Sequence, residues 1–254
     1  MRKQKREATK RLAKREKFTI NRGQYKGLGL FLESNDTTRP TKSLVKKSFF
    51  DTMQNTLFGK TFIECFAGSG QMGFEALSLG ASNAVFFENN TSAFKNLCNN
   101  ITLFWEKYMQ YHSPKSQDSK HHKVSNYIQP SSIPFSIQAH FKDCLQSQDL
   151  IMNFSKNADF QVKNDIMANF EIISQTNNII LYMDPPFACR IGFENIYKKI
   201  WHFIESFNEC LIQKVDIIVI ESMSNANLDT QIGAFSLVKK SKFGQTTLMY
   251  FTKE

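Results

Sequence analysis

From residue 61 onward, short apolar runs alternate with longer stretches whose apolar residues recur at helical spacing. Thr61 to Phe66, Asn83 to Phe87, Phe135 to His140, Asn178 to Met183 and Val215 to Ile220 read as strands. Apart from Phe135 to His140, they are nearly unbroken in apolar residues, as strands covered on both faces are. Between them, Gln71 to Leu79 reads as a helix ended by Gly80. Ser92 to Trp105 reads as a second, with Phe94, Leu97, Ile101, Phe104 and Trp105 as its apolar residues, and about Phe193 to Cys210 as a third. Phe235 to Val238 and Thr246 to Phe251 predict a closing antiparallel pair around Gly244. Such alternation predicts an α/β fold, a mainly parallel sheet with helices on both faces.

Upstream, Tyr25 to Leu30 has turn residues between short apolar runs and reads as a hairpin. A helix then starts at Thr38-Arg39-Pro40-Thr41, where Pro40 suits a first turn. Leu44, Val45, Phe49, Met53 and Leu57 give it one apolar face. Two stretches interrupt the order. Residues at about 106–133 are polar and include His112, His121 and His122, and residues 150–177 are mixed, with possible helical pieces. Both read as surface insertions. The chain thus divides into a basic flexible arm, 1–21, and one domain, 22–254, a size that suits one α/β unit with additions.

Charge sharpens this division. The net charge is +9. Residues 1–26 hold eleven Lys/Arg and two Glu, and the other residues balance at 21 of each sign. An arm so poor in apolar residues buries little and is expected to be mobile when free. Its cations would attract a polyanion through counterion release, although a solubilising tail has the same composition. The five cysteines are scattered, which points to a reducing compartment and away from structural zinc. The histidines of the first insertion lack accompanying acidic or thiol ligands, so no metal is expected. No apolar run reaches the roughly 20 residues of a membrane helix, and no apolar segment follows the basic start as in a secretory signal. A cytoplasmic protein is expected.

The candidate chemistry begins at Gly68, Gly70 and Gly73, a G-x-G-x-x-G string between a strand and a helix. Glycines there let the backbone turn sharply and approach a nucleotide-like ligand. Glu88 ends the next strand, where a carboxylate can accept both hydroxyls of a ribose. The string alone does not separate a dinucleotide from S-adenosylmethionine. Glu64 favours the latter, because a carboxylate at the loop mouth repels a pyrophosphate and welcomes an ammonium. Asp143, after the third strand, could accept from an adenine amino group or simply cap a helix.

Asp184-Pro185-Pro186-Phe187 follows a central strand and falls beside the same crevice. Successive prolines stiffen the segment. An exocyclic base amine is a poor nucleophile, since its lone pair is delocalised into the ring. The Asp184 carboxylate and the Pro185 carbonyl could each accept one of its N–H groups, orienting the nitrogen and stabilising the charge it develops. Phe187 could stack on the base.

These pieces resemble the RsmD-type 16S ribosomal RNA guanine-N2 methyltransferases of bacteria. The matching segments are Gly23-Gln24-Tyr25-Lys26-Gly27, Thr38-Arg39-Pro40-Thr41, Phe66-Ala67-Gly68-Ser69-Gly70, Phe87-Glu88, Asp184-Pro185-Pro186-Phe187, Ile220-Glu221 and Lys242-Phe243-Gly244-Gln245-Thr246. The resemblance runs from about Arg22 to Phe251 and breaks at the two insertions. It implies a Rossmann-like, seven-stranded class I methyltransferase sheet and S-adenosylmethionine as cofactor. It implies a guanine of 16S ribosomal RNA as substrate, within the small subunit; oligomeric state is left open, a monomer being the simplest expectation. Cofactor contacts are implied at Glu64, Phe66, Ala67, Gly68, Ser69, Gly70, Glu88, Asn89, Asp143 and Cys144. Arg39, Thr41, Lys26 and Arg22 are the candidates for RNA contact. Glu64 stands where the family usually has Asp, which keeps the charge and lengthens the reach. Two other readings compete: a DNA adenine-N6 methyltransferase with the same strip, and a basic ribosome-assembly factor with a vestigial cofactor site.

Overall fold

The computed structural model describes residues 16–32, 40–112, 136–146, 160–163, 178–187 and 191–253. Arg39, the arm before residue 16, most of the first expected insertion and all but residues 160–163 of the second up to 177 lie outside them.

The strands are β1 (Lys17–Thr19), β2 (Gly29–Phe31), β3 (Thr61–Glu64), β4 (Asn83–Phe87), β5 (Ser136–His140), β6 (Phe160–Lys163), β7 (Ile179–Met183), β8 (Val215–Met223), β9 (Gln231–Ile232), β10 (Phe235–Phe243) and β11 (Thr246–Lys253). The helices are α1 (Pro40–Met53), α2 (Gln71–Ser78), α3 (Thr91–His112), α4 (Ile196–Glu205) and α5 (Glu209–Lys214). The main sheet runs β6-β5-β4-β3-β7-β8-β11-β10-β9. Strands β5, β4, β3, β7 and β8 are mutually parallel, and β8, β11 and β10 pair antiparallel. The inner seven match the seven-stranded sheet expected from the sequence. Two short strands enlarge it to nine: β6 pairs antiparallel with β5, and β9 with β10. Strand β6 falls where the sequence suggested helical pieces.

The unbroken apolar runs follow from burial on both faces. Ile63, Val85 and Leu181 alternate into one core with Ile200 and Ile204 of α4. Phe62, Ile180 and Tyr182 face the other way, onto Val45, Phe49 and Met53 of α1. Phe86 and Ile137 meet Phe74 of α2 and Leu97, Ile101 and Phe104 of α3. Helices therefore cover both faces.

Several boundaries differ from the sequence reading. Residues 17–19, expected in the arm, form β1, because Phe18 and Ile20 turn into the core. The hairpin pairs Phe18 with Leu30, so Tyr25 to Gly27 lie in its loop rather than in a strand. Helix α3 continues through His112 into the first expected insertion, since Tyr108 is buried and stacks on Trp105 at 5.3 Å. The expected helix over 193–210 is two helices. Asn208 breaks it, its side chain accepting from Leu211 N at 2.9 Å to cap α5. Leu44, placed on the apolar face of α1, is 58% exposed. Strand β10 continues beyond Val238 to Phe243, and Lys239, Lys240 and Lys242 line this polar extension.

Candidate active site

Parallel pairing brings the carboxyl ends of β5, β4, β3 and β7 to one edge of the sheet. Strand order reverses about β3, whose neighbours are β4 and β7. A crevice forms outside such a switch point. Glu64, Glu88, Asp143 and Asp184 all sit at or just after these strand ends. Residues 120 positions apart in the chain are thus neighbours of one crevice.

The Gly-rich turn joins β3 to α2. Gly68 and Gly70 have φ of +51° and +80°, left-handed values that disfavour any side chain. The third glycine serves packing. A Cβ on Gly73 would lie 2.3 Å from the Phe86 ring. Gly73 N instead donates to Glu64 Oε2 at 2.9 Å, which satisfies an amide in the first turn of α2. Glu64 is only 5% exposed, more enclosed beneath the turn than the sequence reading placed it.

Glu88 is held at the rim. Its Oε2 accepts from Gly68 N and its Oε1 from Asn90 N, both at 2.7 Å. Asn90 in turn caps α3, accepting from Ser92 N and Ala93 N at 2.9 and 3.0 Å. Asn89 is exposed beside it. Phe66 is half-buried, whereas Ala67 and Ser69 are buried. Asp143 is half-buried and accepts from Leu145 N at 3.0 Å at the start of a single 3-10 turn, Cys144–Gln146. Cys144 is buried and hydrogen-bonds the Cys65 thiol, which burial pushes well above the ordinary thiol range. Both thiols belong to the hydrophobic core beside Val85 and Leu181, where a thiol packs rather than reacts.

Across β3, the Asp184–Phe187 segment leaves the end of β7. Pro185 is buried, and Asp184, Pro186 and Phe187 are half-buried. Lys42 Nζ, from the first turns of α1, stands 3.9 Å from Asp184 Oδ2. Tyr182, two residues earlier on the same strand face, donates its hydroxyl proton to Glu221 Oε1. Glu221 lies on β8, is 7% exposed and shares a hydrogen bond with the Asp184 side chain.

The RNA-contact candidates are not all brought here. Gln24 N donates to the Ser78 carbonyl at 2.8 Å and Tyr25 N to Ser78 Oγ at 2.9 Å. Ser78 is at the far end of α2 from the Gly-rich turn, about 12 Å along an eight-residue helix. Arg22 is paired with Asp51 at 2.6 Å in the same region, and Lys26 is exposed there. Thr41 lies in the first turn of α1, the end that reaches the crevice through Lys42.

Sequence reasoning missed Lys42, the role of Glu221, and Asn100. Asn100 Nδ2 donates to the carbonyls of Phe31 and Ser69 at 2.8 and 3.0 Å, and its Oδ1 accepts from Phe31 N at 2.8 Å. It ties the N-terminal hairpin to the Gly-rich turn. Its signal was an asparagine pair, Asn96 and Asn100, buried at i, i+4 on α3.

A family model described as conserved hypothetical protein 95 matches residues 18–133 and 141–252. The chain belongs to this family, the RsmD type. Among curated proteins, it is 32% identical over 79 residues to ribosomal RNA small subunit methyltransferase D of Escherichia coli (strain K12), 31% of this chain and 40% of that protein. It is 32% identical over 100 residues to YlbH of Bacillus subtilis (strain 168), 39% of this chain and 54% of that protein. The chain therefore spans about half the length, or less, of these curated relatives. Among solved structures, yhhF from Escherichia coli superposes with a TM-score of 0.58 at 19% identity, covering 94% of this chain and 99% of that one.

Proposed function

We propose that this RsmD-type protein is an S-adenosylmethionine-dependent methyltransferase acting on the exocyclic N2 of a guanine in small-subunit ribosomal RNA. The observation that carries the reading is the placement of Asp184–Phe187 across β3 from the Gly68–Glu88 contact. A base held on the first can face a cofactor held on the second. The printed name of the Escherichia coli relative supports ribosomal RNA as acceptor, and the family supports the chemistry.

The residues present fit the cofactor. Glu88, fixed by two amides at the end of β4, suits a ribose diol. Asp143 suits an adenine amino group, and Glu64 adds negative charge under the turn where an ammonium would lie. Phe66, Ala67, Ser69, Gly70, Asn89 and Cys144 complete the walls and rim. When bound, S-adenosylmethionine supplies an electrophilic methyl carbon on a sulfonium.

The chain's own residues act on the base. The Asp184 carboxylate accepts one N–H of the guanine amine and the Pro185 carbonyl the other, which turns the nitrogen lone pair toward the cofactor. As the nitrogen takes the methyl group and the methyl–sulfur bond breaks to leave a neutral thioether, the Asp184 anion stabilises the positive charge on the nitrogen until one N–H proton is lost to solvent. Phe187 packs against the ring. A target base unpaired or flipped from a helix meets these groups at a cost of about a few kcal/mol. Thr41, Arg39 and the basic N-terminal segment are the proposed phosphate contacts, in the cytoplasm where ribosomal RNA is modified.

Methyl transfer from a tritiated donor tests the acceptor class. Label should enter unmodified small subunits or their RNA and not duplex DNA, and Asp184→Ala should lower the rate by about 100-fold or more while cofactor still binds. Label in DNA alone would favour the adenine-N6 reading. Absence of transfer to every acceptor would favour a vestigial site.

A further inference from the structure

Glu221 is a buried acid that the methyl-transfer scheme above does not use. Its position follows from strand register. Strands β7 and β8 pair Tyr182 with Val219 and Met183 with Ile220. One step further, the same register sets Glu221 beside Asp184. Tyr182 and Asp184 are two apart on one strand, and Val219 and Glu221 two apart on the next, so all four side chains face α1. There the Tyr182 hydroxyl donates to Glu221 Oε1, the Glu221 carboxyl hydrogen-bonds Asp184, and Lys42 stands on the outer side of Asp184.

Two carboxyl groups in hydrogen-bond contact cannot both be ionised without strong repulsion, so such a pair holds one proton. Tyr182 already donates to Oε1, which leaves Oε2 as the atom that can carry the proton toward Asp184. Glu221 is 7% exposed, whereas the Asp184 side chain is 29% exposed and has Lys42 beside it. The proton belongs on the more buried member. We propose that Glu221 is the positioning residue for Asp184: as a neutral acid it donates a hydrogen bond to the Asp184 carboxylate and holds it, ionised, toward the crevice. This rests on Asp184 being the group that receives the target amine.

The electrostatics agree. Burial, and then the Asp184 charge, push the Glu221 carboxyl up to about 8, against the opposing pull of the Tyr182 hydroxyl and Lys42. Among the described residues, the groups that act on it include Tyr182 from β7, Asp184 from the loop after β7, Lys42 from α1 and Tyr250 from β11, and Glu64 on β3 acts in turn on Tyr182. Once Glu221 ionises, it repels Asp184 instead of holding it.

The test compares Glu221→Gln and Glu221→Ala with the parent protein. An amide keeps the pattern, since its NH2 donates to Asp184 and its oxygen accepts from Tyr182, but it does not titrate. In the parent, kcat should fall as pH rises through about 8, with KM for the cofactor unchanged. Glu221→Gln should keep kcat at neutral pH within about threefold and lose that alkaline fall. Glu221→Ala should lower kcat at every pH by about tenfold or more. An alkaline fall that persists in Glu221→Gln would overturn the proposal, as would full kcat in Glu221→Ala. A second measurement needs no turnover. In the protein labelled with 13C at glutamate carboxyls, one resonance should titrate near 8, vanish in Glu221→Gln, and move to lower pH in Asp184→Asn. A Glu221 midpoint in the ordinary carboxylate range overturns this inference even in an active enzyme. Absence of methyl transfer by the parent protein overturns the proposed function and leaves the titration to be judged separately.

Discussion

Gly68 N and Glu88 Oε2, 2.7 Å apart, join the Gly-rich turn to the end of the neighbouring strand. Each partner needs the other. The turn requires a left-handed residue at 68, and Glu88 supplies the acceptor for its amide. The carboxylate, for its part, is aimed by two amides rather than left to rotate. A cofactor that uses Glu88 therefore meets a preorganised group.

Replacing Glu88 with Ala removes both the acceptor and the brace on the turn. Hydrogen bonds to charged groups contribute about 1.5–3 kcal/mol each. S-adenosylmethionine affinity, measured by calorimetry, should fall by about 10- to 100-fold. Unchanged affinity would remove Glu88 from the site.

Gly73 separates two opposing effects. Alanine at a helical position is favoured over glycine by about 1 kcal/mol. Here, however, the added Cβ would stand 2.3 Å from the ring of Phe86, a fully buried side chain, and 3.2 Å from Glu64 Oε2. Overpacking a core costs about 1–3 kcal/mol, so the clash wins. Gly73→Ala should lower the urea midpoint, and a raised midpoint would mean that Phe86 yields freely.

Most of the sheet was legible in the sequence, because strands buried on both faces leave short apolar runs that end where chemistry begins. Asn83 to Phe87 was read to the residue. Asp184 was readable because two prolines and an apolar strand mark its place. Lys42 and Glu221 were not assigned to the site, for a physical reason. Their meaning comes from the approach of α1 and β8 to the end of β7, and nothing local distinguishes Lys42 from the neighbouring lysines Lys46 and Lys47. The hairpin was half legible. Its turn stood out, but β1 is only three residues long and lies within a run of cations, which masked the inward Phe18. Arg22 and Lys26 illustrate the converse. They belong to a segment matching the family, yet Ser78 draws that segment to the far end of α2.

The raised Glu221 value also bears on stability. The unfolded chain releases this proton near the ordinary 4.5 of a glutamate, the folded protein near 8. Between those pH values the unfolded state binds fewer protons, so stability falls as pH rises, and the full cost is present above 8. Glu221→Gln has no proton to lose. Its Tm relative to the parent protein should therefore rise steadily from pH 5 to about 8, followed by differential scanning calorimetry. A constant difference across that window would place the Glu221 titration elsewhere.

The proposed function assigns methylation of guanine N2 in small-subunit ribosomal RNA to the crevice between the Gly68–Glu88 turn and Asp184–Phe187. Mass analysis of nucleosides from unmodified small subunits, incubated with the protein and a deuterated methyl donor, tests it most directly. Labelled N2-methylguanosine should form, at a rate lowered about 100-fold or more in Asp184→Ala. Label confined to any other base or to another atom of guanine would contradict it.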